Sequence, residues 1–204
     1  MKFITSLNPN GRIERQTYCL NNWKSYGLPV CAIQHHSEQD CKLHFPQVDE
    51  WIFVPYTPTP FNTIFPHIDH FVAQYPGIII NSDIHLNWSL QQLQSFLKAN
   101  DPVVGIRNEN GIINRYGIDV FIAKQFSLPE NEFHIGKPGW DYLLLIEMHK
   151  AGLFHTVTYG VCHEPHQDRW NPEELRIAQN LLATRYNCRP KNVTHLVQRI
   201  TGRA

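Results

Sequence analysis

The chain has 204 residues, 42% of them hydrophobic and 18% charged, and its 18 Lys and Arg balance its 18 Asp and Glu. That composition excludes a disordered chain and points to one globular domain with a sizeable core, while zero net charge offers no bulk attraction to a polyanion. No apolar run approaches the roughly 18–20 residues of a membrane span, and five scattered cysteines without a CxxC read as reduced thiols of a cytoplasmic protein.

"KFITSL" (2–7) reads as a first strand, too short for a secretory leader. "NPNG" is a turn, and "RIERQTYCLNNWKSYG" carries Ile13, Tyr18, Leu20 and Trp23 at roughly helical spacing, closed by Gly27. "PVCAIQ" (29–34) is a second strand, "SEQDCKLHF" a short helix capped by Ser37, and "EWIFVPY" (50–56) a third strand. "NTIFPHIDHFVAQY" reads as a helix with Pro66 near its first turn, followed by a fourth strand, "GIIINSDI". "SLQQLQSFLKAN" (89–100) is an amphipathic helix with Ser89 as its N-cap, and "PVVGIR" a fifth strand. Strand alternating with helix predicts a mainly parallel sheet with right-handed crossovers, whose ligands collect outside the carboxyl ends of the strands.

After residue 108 the pattern changes. "ENG" is a hairpin-like turn, "YGIDVFIAK" (116–124) a strand not expected to be parallel, and "FSLPENEFHIGKPGWD" a loop rich in Gly and Pro. "YLLLIEMHKAG" is a helix, "LFHTVTYGVCH" a last strand, and "NPEELRIAQNLLATRY" a helix with Asn171 as cap and Pro172 in its first position. The tail, 190–204, reads as a short helix with frayed final residues.

Several clusters carry potential chemistry, each with two readings. Asn81-Ser82-Asp83 ends a buried run. Its polar groups suit a turn, and Asp83 equally suits Mg²⁺ or Mn²⁺, which take one or two carboxylates plus substrate phosphates. In "VCHEPHQDRW", His163 and His166 are either loop histidines or metal ligands, and Pro165 rules out the helix of an HExxH site. In "HIGKPGWDYLL", Asp141 is a helix cap or a proton acceptor beside the sugar-facing indole of Trp140. Asp119, inside an apolar strand, requires a partner or a site. Arg12 and Arg15 open the first helix after the first strand, where helix N-terminus and guanidinium both suit phosphate, and Arg107 at another strand end can join them. Neither GxGxxG nor a P-loop is present.

In order, "TSL" with a following Arg, "NSDI", "YGIDVF", "IGKPGWD" and "HEPH" resemble the GT-A glycosyltransferases, with their nucleotide-diphospho-sugar transferase fold, over roughly residues 3–170. The match looks closest to small glycosyltransferase-like proteins of bacteria and their viruses. The resemblance implies an α/β, GT-A-like (Rossmann-like), mainly parallel sheet flanked by helices, with a small antiparallel element in the C-terminal half. It implies a single domain over 1–204: a nucleotide-binding half (1–108), an acceptor and metal-completing half (109–170) and C-terminal helices (171–204). It places Thr5 and Ser6 at the base, Asp83 at the last position of a DxD-type motif, Asp141 at the acceptor-side acid and His163 in the metal shell. Asn81, Ser82, Arg12, Arg15 and Arg107 then belong to the donor site, Trp140 to the acceptor, and Asp119 is the second candidate base. The implied cofactor is Mn²⁺ or Mg²⁺, the donor a nucleotide-sugar, and the acceptor a glycan or other hydroxyl compound, with a nucleic acid not favoured. "NSD" keeps only the final acid of DxD, and the chain is short for the family. Both departures keep a second expectation open, a catalytically degenerate nucleotide-sugar-binding module or subunit.

Overall fold

A computed structural model describes residues 1–56, 60–61, 65–74, 76–124 (backbone alone at 115 and 116), 127–153, 156–164 and 171–202. Chain order is β1 (Phe3–Thr5), α1 (Ile13–Lys24), β2 (Val30–His35), α2 (Cys41–His44), β3 (Glu50–Val54), α3 (Ile68–Val72), β4 (Gly77–Ile80) and β5 (Ile84–Leu86). It continues with α4 (Leu90–Lys98), β6 (Val103–Glu109), β7 (Ile112–Ala123), α5 (Trp140–Lys150), β8 (Thr156–His163), α6 (Pro172–Arg185) and α7 (Pro190–Ile200). Eight strands form one sheet in the order β3-β2-β1-β4-β7-β6-β8-β5. Six run one way, while β7 lies antiparallel between β4 and β6, and β5 lies antiparallel on β8. The fold is therefore α/β and Rossmann-like, mostly parallel, with an antiparallel element around β7 in the C-terminal half.

Both faces of the sheet are covered, which is why its central strands read as unbroken apolar runs. Successive side chains of β1, β2 and β4 point to opposite faces. Ile4, Cys31, Ile33 and Ile79 pack with Phe71 of α3 and with α5, α6 and α7. Phe3, Val30, Ala32, Ile78 and Ile80 pack with Leu20 and Trp23 of α1. Helix ends follow local chemistry. Ser89 and Gln92 form a reciprocal capping box on α4, and the Asn171 side chain accepts the Glu173 N–H at the head of α6, with Pro172 next.

Four expectations are corrected. The helix expected from 62 begins at Ile68, because Pro66 holds the chain extended and His67 remains so (φ −64°, ψ 143°), its ring accepting the Asp69 N–H; residues 62–64 lie outside the described set. Ser37 does not cap; the His35 ring accepts the Ser37 N–H at the head of a 3-10 turn. Asp141 is not the cap of α5, which starts from Gly139 in a left-handed conformation (φ 91°). The fourth strand stops at Ile80, and the chain turns through 81–83 into the separate strand β5. Among the described residues, no helix is long and apolar enough to cross a membrane.

Candidate functional site

The co-directional strands end at one edge with Thr5 (β1), His35 (β2), Ile80 (β4), Glu109 (β6) and His163 (β8). The polar residues after β4 gather there for two physical reasons. Asn81 closes onto β7, donating its backbone N–H to the Asp119 carbonyl (3.2 Å) and its Nδ2 to Asp119 Oδ1 (2.7 Å). β5 pairs with β8 so that Ile84 faces His163, which carries the neighbouring Asp83 to the same place. Asp83 Oδ2 lies 3.2 Å from His163 Nε2, and the other ring nitrogen lies 3.1 Å from Glu109 Oε1. His163 is 6% exposed. Among the described residues, no group of three or more His, Cys, Asp and Glu side chains is placed to hold a metal ion together. His166, the other candidate ligand, lies outside the described residues.

Asp119 is 1% exposed, and its charge is compensated by Arg107 in a fork: Nε donates to Oδ2 (2.6 Å) and Nη2 to Oδ1 (2.8 Å). Burial works against the guanidinium charge, but Asp119 outweighs it and holds Arg107 more firmly protonated than usual. The fork depends on Gly117. A Cβ there would lie 2.7 Å from both Cβ and Nε of Arg107. Glu109 extends the chain of charges, 3.4 Å from Arg107 Nη1, and accepts from Asn114 (3.1 Å).

Beside this pair opens a cavity of about 380 Å³ whose polar side includes Asn81, Arg107, Asp119, Lys137 and Asp141. Its other side is made by Leu175, Ala178, Gln179 and Leu182 of α6 and Val193 and Thr194 of α7, aliphatic at four of the six positions. Asp141 is half-buried in the first turn of α5. Desolvation and then the negative charge of Asp119 push its carboxyl up to about 7, against hydrogen bonding from the Tyr142 N–H and the charge of Arg107. The loop before α5 is pinned at the mouth by Lys137, 2.7 Å from Glu174.

The remaining expected residues divide. Thr5 is fully buried, with its hydroxyl donating to the Ser6 carbonyl (3.3 Å), and Ser6 donates to Gln34 Oε1 (2.9 Å). Ser82 sits half-buried in the turn between β4 and β5. Arg12 begins α1 at φ 54°. Arg15 spans α1 and β5, with Nη2 donating to the Asp83 carbonyl (3.4 Å) and lying 3.0 Å from His85 Nδ1. Its guanidinium covers the Tyr18 ring, and Nε lies 3.6 Å from Glu164. Trp140 also lines the cavity, 3% exposed and packed edge-on against Phe121. Sequence reasoning missed Glu109, because the strand was ended at Arg107 and "ENG" assigned wholly to the turn, whereas β6 runs on to Glu109. Lys137 and the α6–α7 wall carried no motif.

No family model and no curated protein matches the sequence. Among solved structures, the chain is similar to a candidate nucleotide-diphospho-sugar transferase from Desulfovibrio desulfuricans G20, with 11% identity, TM-score 0.46, and 98% of this chain and 97% of that one covered. It is also similar to HddC from Yersinia pseudotuberculosis (9% identity, TM-score 0.42, 87% and 98% covered). A third is a candidate glucose-1-phosphate thymidylyltransferase from Bacillus anthracis in complex with sucrose (14% identity, TM-score 0.39, 89% and 94% covered).

Proposed function

We propose that the protein is a divalent-metal-dependent glycosyltransferase that moves a sugar from a nucleotide-diphosphate sugar to an acceptor hydroxyl. The observation that carries this reading is Asp141, a carboxyl with its proton affinity near neutrality, opening into the cavity at the carboxyl edge of the sheet. Such a carboxyl is about half ionised at pH 7 and suited to accept a proton from an attacking hydroxyl. Asp119 is the weaker candidate base, since Arg107 and Asn81 occupy its oxygens. Arg107 is in turn committed to Asp119, and Arg12 and Arg15 at the start of α1 are the cations assigned to the donor phosphates, Arg15 giving up its contact with the exposed Glu164.

Asp83 and His163 present one hard oxygen and one imidazole nitrogen close together, a donor pair that fits Mn²⁺ or Mg²⁺ when substrate phosphates supply the other ligands. When bound, the ion would supply charge stabilisation of the departing diphosphate. Glu109 Oε1 lies 3.1 Å from the second nitrogen of His163.

Nucleotide-sugar hydrolysis or transfer with Mn²⁺ is the test. Asp141→Asn should lower kcat by about 10²-fold or more while nucleotide affinity is kept, and Asp83→Ala should weaken Mn²⁺-dependent nucleotide binding. Unchanged kcat in the first variant refutes the base, and unchanged Mn²⁺ dependence in the second refutes the metal pair. The binding-module reading is favoured by the single acid of residues 81–83. Nucleotide binding without turnover across a broad acceptor screen would decide for it.

A further inference from the structure

Resting on the transferase reading, we propose that the acceptor is an amphiphile, a hydroxyl-bearing head group carried on an aliphatic chain. The cavity has two chemistries. Its polar side surrounds Asp141, where a hydroxyl would react, and its other side is the mainly aliphatic wall of α6 and α7, where Gln179 and Thr194 interrupt Leu175, Ala178, Leu182 and Val193. An acceptor that is polar all round would desolvate that wall without covering it, whereas a short alkyl segment would bury against it.

Two aliphatic residues at or beside lining positions are exposed. Leu175, part of the wall, is 43% exposed. Ile112 is 73% exposed and lies two positions before Asn114, another lining residue of the cavity. The tip that presents Ile112 is a tight hairpin turn. Asn110 and Gly111 both take positive φ (51° and 86°), as a tight hairpin turn requires, and Ile112 is in register with Glu109. Single exposed aliphatics are ordinary on protein surfaces. Leu43 on α2, 82% exposed and outside the cavity lining, is one, and it serves as the control.

The experiment compares binding of n-octyl β-D-glucoside, kept below its micelle concentration, with methyl β-D-glucoside by calorimetry on the full chain. The octyl compound should bind at least about tenfold more tightly, the gain from burying a few methylenes. Leu175→Ser and Ile112→Asn should each cut that ratio at least threefold (about 0.7 kcal/mol), and Leu43→Ser should leave it unchanged. Equal binding of the two glucosides overturns the proposal, and so does an octyl preference that neither variant reduces. The measurement needs no turnover. An octyl preference without sugar transfer to any acceptor would sink the transferase reading alone, and transfer with equal KM for methyl and octyl acceptors would sink this inference alone.

Discussion

Asp141→Asn should make the protein more stable while removing its activity. A carboxyl held at about 7 when folded and at 3.8 as a free side chain keeps its proton more tightly in the native state. Between these values the folded chain binds more protons than the unfolded chain, so stability falls as pH rises and then levels off above about 7. At about 1.4 kcal/mol per pH unit, the full interval corresponds to roughly 4 kcal/mol. Asp141 opens onto the cavity, and solvent screening there reduces the cost to about 2 kcal/mol. An amide carries no charge and escapes it. Urea unfolding at pH 8 should therefore show Asp141→Asn about 2 kcal/mol more stable than wild type, or about 4–8 °C higher in Tm for a chain of this size. At pH 4, with the wild-type carboxyl protonated in the native state, the two should nearly coincide. A variant less stable than wild type at pH 8, or one whose advantage does not shrink toward pH 4, refutes the assignment. The same carboxyl should give kcat/KM an acidic limb that rises through about pH 7.

Gly117→Ala drives a Cβ into Arg107 and should cost about 3–5 kcal/mol in urea unfolding, because it leaves the buried Asp119 carboxylate unpaired; adding Asp119→Asn should return part of the loss. A cost below about 1 kcal/mol would mean that the fork is dispensable. His163→Ala should reduce nucleotide affinity in Mn²⁺ much more than in chelator, measured by titration calorimetry. Ser89→Ala removes one partner of the α4 capping box and should lower stability by about 1 kcal/mol without changing nucleotide binding.

The parallel half of the sheet was legible because burial on two faces writes itself as short apolar runs such as Ile78–Ile80, separated by helical periods. β5 was not. Three residues between two turns have no measurable period, and Ile84–Leu86 becomes a strand only because β8 is there to pair with it. The polar residues were visible singly, while their partnerships were not. Nothing near Arg107 in sequence says that it reaches across the hairpin to Asp119, since that depends on a missing Cβ at Gly117. Trp140 and Asp141 are adjacent and both line the cavity, but nothing in the sequence says that the indole also packs edge-on against Phe121.

The site is stitched together over very unequal lengths of chain. Arg107 and Asp119 are 12 residues apart within one hairpin, whereas Asp83 and His163 are 80 apart and meet only when β5 docks on the edge of β8. Loop closure makes the first junction early and the second late. During refolding, the Arg107–Asp119 fork should form before Mn²⁺-dependent nucleotide binding appears. A chain arrested between the two steps would hold its buried ion pair and have nowhere to seat the diphosphate.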